Sequence, residues 1–193
     1  AKKVLRYLQS RKNLPLTWCA LTSPNPGTII GYADASFADI PDTRLSSIGY
    51  VFLVYGGAVS LSTTKSPLQV LNAAEAEIVS LSSAAQEGVF LRKLCIEMGF
   101  PQHSPTIIYE DCEAAVALSK ETRFRKRSKH IALRWYYIAE RQAPPIGDLR
   151  VVPRRRTKML ADIFASPRAA PPFIAFRDHL LGHRSAFVAD DTE

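Results

Sequence analysis

The stretch Thr28-Ile-Ile-Gly-Tyr-Ala-Asp34 is an apolar strand that ends on a carboxylate, and it opens the main domain of the chain. Two more apolar strands follow at 48–55 and 58–63. The Gly56-Gly57 pair between them predicts a tight hairpin, because both central residues of a type I′ turn need positive φ. A helical pattern then runs over 72–98 and stops before Gly99 and Pro101.

The remaining pattern alternates between short strands and helices. It predicts a strand at 106–109, helices at 111–120 and 130–142, a strand at 148–152, and a helix at 157–165 with Thr157 as its N-cap. This order is typical of an α/β fold of the α+β type, with a mixed five-stranded sheet flanked by helices.

Two less regular segments frame this domain. Residues 1–27 combine a short amphipathic helix with the turn-rich linker Ser23-Pro-Asn-Pro-Gly27, and residues 168–193 are rich in proline and alanine. We therefore expect three parts: an N-terminal segment and linker at 1–27, the domain at 28–167, and a partly disordered extension at 168–193. Because the chain begins at Ala1 and its only methionines are Met98 and Met159, we expect a fragment of a longer reading frame.

The composition narrows the class of partner. The 193 residues carry a net charge of +7 and are 47% hydrophobic, which predicts a packed core and anionic polymers as partners. The three cysteines, Cys19, Cys95 and Cys112, are far apart, so they indicate neither a zinc knuckle nor a disulfide framework and favour a reducing, intracellular compartment. No apolar run reaches the ~18 residues of a membrane helix.

Two acids lie where a carboxylate is costly unless it binds something. Asp34 shares one strand face with Tyr32, in a strand expected near the centre of the sheet. On the long helix, Glu75 and Glu77 are about 200° apart. Glu77 continues the small apolar stripe that must face the sheet, whereas Glu75 is expected to point toward water. The stripe comprises Leu81, Ala84, Gly88, Leu91 and Cys95.

Two further acids complete a set. Asp111 follows the fourth strand, where sites in open α/β sheets gather, although it could instead be a helix N-cap. Asp162 lies among apolar residues, although it could pair with Lys158 at i, i+4. Four carboxylates in a strand, helix, strand-end, helix series favour a site for hard cations such as Mg²⁺.

The order of short motifs resembles the ribonuclease H domain of copia-type LTR retrotransposon polyproteins. Residues 1–8 resemble the end of the reverse transcriptase that precedes this domain, so the likeness extends from Ala1 to about Gly182. The blocks that carry it are Gly31-Tyr-Ala-Asp-Ala-Ser-Phe-Ala-Asp39, Ser47-Ile-Gly-Tyr-Val-Phe52, Ala74-Glu-Ala-Glu77, Ala84-Ala-Gln-Glu87, Tyr109-Glu-Asp-Cys-Glu-Ala-Ala115, Lys129-His-Ile131 and Leu160-Ala-Asp-Ile-Phe164.

The resemblance implies a ribonuclease H-like fold with the catalytic, metal-binding acids Asp34, Glu77, Asp111 and Asp162. These acids would hold two Mg²⁺ ions, with Mn²⁺ able to substitute, and cut the RNA strand of RNA–DNA hybrids during reverse transcription. The implied partners are the hybrid and the reverse transcriptase domain of the same polyprotein. The implied location is a cytoplasmic virus-like particle or the nucleus, with no membrane contact.

The sequence departs from the family in three places. Ala132 stands where members usually have aspartate, and no histidine precedes Asp162 within residues 152–158. Ala165-Ser166 replaces a usual Thr-Lys pair. These departures keep open an alternative function, a catalytically inactive nucleic-acid-binding module of a decayed or co-opted retroelement.

A basic loop and the helix after it are the expected nucleic-acid interface. The apolar stripe Ile131, Trp135 and Ile138 lies beside a stripe of basic and aromatic side chains, which suits phosphate and sugar contacts. A solvated loop is the alternative for the basic run. The candidate contact residues are Lys65, Arg125, Arg127, Lys129, His130, Arg134 and Tyr137.

Two other functions fit the same fold. Integrases and transposases place their glutamate after two aspartates, whereas here Glu77 comes second, which favours ribonuclease H. A purely structural scaffold packed against a reverse transcriptase is the other hypothesis, and it does not exclude catalysis.

Overall fold

The computed structural model describes residues 2–20, 26–121 and 129–183. Within these residues lie five strands and six α-helices, and Arg156–Lys158 form one 3₁₀ turn. The strands are β1 (Ile30–Ser36), β2 (Ser47–Val54), β3 (Gly57–Lys65), β4 (Thr106–Glu110) and β5 (Leu149–Pro153). The helices are α1 (Lys2–Ser10), α2 (Ala73–Glu97), α3 (Glu113–Lys120), α4 (Lys129–Gln142), α5 (Asp162–Ala165) and α6 (Ala170–Leu180).

The five strands form one mixed sheet in the order β3-β2-β1-β4-β5. The first three strands are an antiparallel meander, and β4 and β5 join β1 in parallel. Parallel neighbours need crossover connections, and the helices between β3 and β5 supply them. The predicted five-stranded mixed sheet is confirmed, with β1 at its centre.

Strand alternation sends successive side chains into two separate cores. Ala33 and Phe52 belong to the larger core, on the face covered by α2, α3 and α4. Tyr32 and Val51 belong to a smaller core on the opposite face, which α5 and α6 cover. The predicted stripe on α2 faces the larger core, where Leu81 and Ala84 are fully buried.

Two predicted details of the chain path are wrong. Positive φ falls on Tyr55 (52°) and Gly56 (79°), so the hairpin turn lies one residue earlier than Gly56-Gly57. The predicted helix 157–165 is instead the 3₁₀ turn and the short α5, and Thr157 lies inside that turn rather than capping a helix. The apolar run Met159-Leu-Ala161 explains the interruption of the helix, because all three side chains are buried and pack against the sheet.

The N-terminal segment passes over the hairpin and reaches the end of α6. The backbone N–H of Thr17 donates to the Leu181 carbonyl at 2.9 Å, and that of Cys19 donates to the Tyr55 carbonyl at 3.0 Å. A Cβ on Gly57 would lie 2.3 Å from the Thr17 carbonyl oxygen, so only glycine lets the segment cross there.

Helix α6 packs on the sheet through Phe176 and Leu180, although it lies in the extension expected to be partly disordered. Residues 184–193 and the linker residues 21–25 lie outside the described ranges. The boundaries at 27/28 and 167/168 stay predictions. Among the described helices, none is both long and apolar enough to cross a bilayer.

Candidate metal centre

Three acids meet at the carboxyl ends of β1 and β4. Tyr32 pairs with Tyr109 in the parallel register, and Asp34 and Asp111 each come two residues later along the chain. Carboxylate oxygens of Asp34, Glu77 and Asp111 all lie within 4.8 Å of one another. This is the edge where ligands gather in parallel sheets. Cys112, not Asp111, is the N-cap of α3.

Glu77 reaches this edge because the first turns of α2 are pinned to the sheet. The Ser80 hydroxyl, one turn after Glu77, lies 2.9 Å from the Asp34 carbonyl oxygen and 3.1 Å from the Gly49 carbonyl oxygen. These contacts bridge α2 to both β1 and β2, and the Ser80 side chain is fully buried. The orientation of Glu77 is therefore set by packing and hydrogen bonds rather than by solvent.

The three carboxylates form no ion pair within the described part of the chain, although two of them are buried. Asp34 and Glu77 are 4% and 7% exposed, and Glu77 Oε2 is buried without a hydrogen-bond partner. Burial, and then the charge of Asp111, raises the pKa of Asp34 to about 7. Burial and the neighbouring acids Glu110, Asp34 and Asp111 raise the pKa of Glu77 still further.

An oxygen-only donor set with an orphaned buried oxygen fits a hard divalent cation. The carboxylates of Asp34, Glu77 and Asp111 would hold such an ion, whose charge would offset both their mutual repulsion and their loss of solvation. Burial also raises the pKa of Asp111, and the guanidinium groups of Arg156 and Arg168 oppose that rise.

Glu110 is a fifth acid at this edge, and it was not among the acids predicted from the sequence. It is fully buried, and its Oε1 accepts from the backbone N–H of Cys112 at 3.2 Å. Burial raises the pKa of Glu110 well above its usual range. Strand alternation offered a signal, since Thr106, Ile108 and Glu110 share one face of β4 and the first two face the core.

Asp162 lies beside this cluster but outside the group of three. Its Oδ2 forms an ion pair with Arg168 Nη2, its Oδ1 is 4.0 Å from Arg156 Nη2, and its side chain is 1% exposed. Helix α5, which carries it, seats against β2, where a Cβ on Gly49 would be 2.7 Å from the Cβ of Phe164. The close approach of α5 to the sheet thus depends on Gly49.

Glu75 does not point toward water, so that prediction is wrong. Its Oε2 accepts from the Leu71 N–H at 2.7 Å, while its own N–H donates to Asn72 Oδ1 at 3.0 Å. This reciprocal capping arrangement folds the carboxylate back over the helix start, and Glu75 is 9% exposed. Glu75 therefore caps the N-terminus of α2, whereas Glu77 belongs to the acid cluster.

The candidate nucleic-acid residues are only partly described. Lys65 is exposed at the end of β3, and Arg134 and Tyr137 are half-buried on α4. The Arg141 guanidinium lies 5.3 Å from the centre of the Tyr137 ring. The predicted apolar stripe of α4 is buried, as expected. Arg125 and Arg127 lie outside the described residues, as do the side chains of Lys129 and His130.

Sequence comparisons connect the chain to retrotransposon polyproteins. It is 32% identical over 139 residues, 72% of the chain, to the retrovirus-related Pol polyprotein from transposon TNT 1-94 of Nicotiana tabacum. It is 30% identical over 175 residues, 91% of the chain, to the Pol polyprotein from transposon RE1 of Arabidopsis thaliana. The aligned parts cover 10% and 12% of these relatives, so the chain spans about a tenth of their length. No family model matches the chain.

Structural comparisons identify the fold. LC11-RNase H1, isolated from compost, matches 72% of the chain and 92% of its own length, with a TM-score of 0.53 at 18% identity. The protease-reverse transcriptase of prototype foamy virus matches 77% of the chain and 22% of its own length, with a TM-score of 0.52 at 19% identity. The chain is therefore related to one segment of retrotransposon Pol polyproteins, and its sheet and flanking helices form a ribonuclease H fold.

Proposed function

We propose that this chain hydrolyses the RNA strand of RNA–DNA hybrids during reverse transcription of a retrotransposon. The observation that carries the proposal is the group of carboxylates from Asp34, Glu77 and Asp111, within 4.8 Å of one another at the carboxyl ends of two parallel strands. The relationship to Pol polyproteins supports it. LC11-RNase H1, which shares the fold, has been crystallised in complex with an RNA/DNA hybrid (TM-score 0.51, 17% identity, 71% of this chain and 93% of that one).

Four acids would hold the metal ions, with Asp34, Glu77 and Asp111 at the centre and Asp162 beside them. Two bound Mg²⁺ or Mn²⁺ ions supply an activated water and stabilise the leaving oxygen of a phosphodiester. The chain itself holds the acids in position before the substrate binds. Ser80 of α2 fixes this helix to the sheet, and the pairing of β1 with β4 aligns the two strands that carry Asp34 and Asp111.

Basic side chains would hold the hybrid across this edge. Contacts to phosphates and to the RNA 2′-hydroxyl distinguish a hybrid from DNA without reading its sequence. Arg156, whose side chain is 72% exposed beside Asp162, is one described cation close enough to the acids to contact a phosphate there. The other proposed contact residues are Lys65, Arg125, Arg127, Lys129, His130, Arg134 and Tyr137.

We also assign a reverse transcriptase domain of the same polyprotein as the covalent neighbour. Helix α1 leaves the apolar side chains of Val4, Leu5 and Leu8 more than half exposed. Such a surface suits packing against another domain. We propose a cytoplasmic virus-like particle or the nucleus as the location of such a polyprotein.

The test is cleavage of a hybrid labelled on its RNA strand, with Mg²⁺ or with EDTA, by the wild type, Asp34→Asn and Asp42→Asn. Asp42 is an exposed loop acid that makes the same change of charge away from the site. We expect Mg²⁺-dependent cleavage that Asp34→Asn lowers at least about 100-fold, which corresponds to roughly 3 kcal/mol of lost transition-state stabilisation. Asp42→Asn should cut like the wild type.

Two results would contradict the proposal. Cleavage by Asp34→Asn at the wild-type rate would show that Asp34 is not part of the catalytic site. A folded wild type that binds the hybrid but makes no metal-dependent cuts would favour the alternative function, an inactive nucleic-acid-binding module.

A further inference from the structure

Asp162 differs from the other three acids because its charge already has cationic partners. Its Oδ2 is ion-paired with Arg168 Nη2. Its Oδ1 faces Arg156 Nη2 at 4.0 Å and the Ser166 hydroxyl at 3.5 Å. Both carboxylate oxygens therefore face side chains of the segment around α5.

Arg168 holds this position with most of its surface covered. It comes three residues after the end of α5, and its side chain is 28% exposed. Its charge reaches beyond Asp162, since it also lowers the pKa of Asp34 and Asp111 against the rise caused by their burial. One guanidinium thus acts on three of the four acids.

We infer that Arg168 is the resident counter-cation of Asp162, so that without nucleic acid the protein binds one divalent ion, through Asp34, Glu77 and Asp111. A second ion that needs Asp162 must compete with the guanidinium. This inference rests on the proposed function only in assigning metal ions to these acids. It adds that the two ion positions are unequal and that one arginine makes them so.

Charge balance explains the inequality. The group of three has a buried oxygen without a hydrogen-bond partner and no ion pair in the described residues, so an ion entering there breaks no ion pair. An ion that approaches Asp162 must break an ion pair whose partners are already largely desolvated. It must also approach the guanidinium, whose like charge repels it.

A nucleic-acid phosphate would change this balance. Guanidinium groups bind phosphate in the same bidentate manner as carboxylate, so a phosphate at this edge offers Arg168 another partner. The oxygens of Asp162 are then released for a second ion. Occupation of the second position therefore depends on the hybrid, which would restrict the complete site to the bound complex.

The experiment counts Mn²⁺ ions on the full chain without nucleic acid, by calorimetry and by the electron paramagnetic resonance signal of free Mn²⁺. Four variants accompany the wild type. Arg168→Met removes the guanidinium, Arg168→Lys keeps a positive charge, and Arg150→Met removes an exposed arginine of β5 as the matched control. The double variant Asp162→Asn with Arg168→Met removes both charges, so it leaves no buried charge unpaired if Arg168→Met alone folds poorly.

We expect one ion for the wild type, Arg150→Met and the double variant, and two ions for Arg168→Met. Arg168→Met should bind the second ion about tenfold or more tightly than the wild type does, within the usual range of coupling between two binding events. Arg168→Lys should restore most of the wild-type behaviour, which a purely structural role of the arginine would not require.

Different outcomes overturn different statements. Two ions of equal affinity in the wild type, unchanged in Arg168→Met, would overturn the inference and leave the proposed function intact. A second ion bound equally well by the double variant would show that Asp162 does not hold it, which also overturns the inference. Absence of Mn²⁺ binding in every protein would overturn the inference and the metal assignment together.

Discussion

Two groups of acids at one edge of the sheet have opposite electrostatic environments. Asp34, Glu77 and Asp111 face one another, and no ion pair joins them to a described cation. Asp162, which is more deeply buried than any of them, is paired with Arg168 and lies near Arg156. Burial raises the pKa of Asp34, Glu77 and Asp111 and so favours their neutral forms, whereas Asp162 has a guanidinium partner.

This contrast distinguishes a carboxylate that stabilises the fold from carboxylates that are available to bind a cation. A buried acid with a guanidinium partner contributes to the fold only while both partners remain. Buried acids without partners destabilise the folded state. A bound cation removes this cost, so part of its binding free energy stabilises the fold. The number of acids at the edge is therefore a poorer guide to metal binding than the number of acids that lack a counter-ion.

The largest stability effect should come from breaking the paired acid. Asp162→Asn leaves the mostly covered Arg168 without its partner, and removal of one member of a buried pair costs about 3–5 kcal/mol. Because Arg168 is 28% exposed, we expect about 2 kcal/mol less unfolding free energy at pH 7 in EDTA. Urea unfolding measures this, with Asp42→Asn as the control. An unchanged midpoint would show that the pair does not stabilise the fold.

Neutralising an unpaired acid should do the opposite. Between about pH 4 and 7 the folded protein holds a proton on Asp34 that the unfolded chain has lost, because the folded pKa is about 7 and the ordinary value 3.8. That stabilisation is lost progressively between about pH 4 and 7, at no more than about 1.4 kcal/mol per pH unit, and it is gone above pH 7. Asp34→Asn cannot titrate, so in EDTA at pH 8 it should be about 1 kcal/mol more stable than the wild type.

Melting curves at pH 5, 6, 7 and 8 in EDTA test this slope. The wild type should lose stability between pH 5 and 7 more steeply than Asp34→Asn, with the difference levelling off by pH 8, and added Mg²⁺ at pH 8 should stabilise the wild type alone. Parallel pH profiles for the two proteins would mean that Asp34 has an ordinary pKa. The acid cluster would then not destabilise the folded protein through Asp34.

Sequence patterns predicted the sheet and the acid cluster because both depend on short-range periodicity. Alternation in β1 and the small apolar stripe of α2 selected Asp34 and Glu77, and a buried face admits only one register. The same reasoning predicted five strands within about two residues of their ends. Hairpin and helix ends were less accurate, as the turn at Tyr55-Gly56 and the break before α5 show.

Arg168 could not be predicted, because no periodic pattern links it to Asp162. The pair forms through the path of the chain after Ser166, where the irregular segment turns back over the cluster. Side chains that meet through irregular backbone leave no spacing signal, and several other arginines in this basic chain were equally eligible on composition alone. Charge pairing through irregular backbone is thus the part of the site that only a structure supplies.

Glu75 shows the same limit on a smaller scale, and it provides the smallest expected effect. Helical periodicity ignores helix ends, where a glutamate at the third position folds back to cap the first turn. Glu75→Gln keeps an oxygen for the Leu71 N–H but loses the attraction between a carboxylate and the helix N-terminus, so it should lower the free energy of unfolding by about 0.5 kcal/mol.

The Mn²⁺ affinity of Glu75→Gln should equal that of the wild type. Glu77→Gln, the same change two residues away, should bind Mn²⁺ at least about tenfold more weakly, because it removes one of three ligands. Equal loss of Mn²⁺ binding in both variants would show that the start of α2, and not Glu77 itself, controls the site.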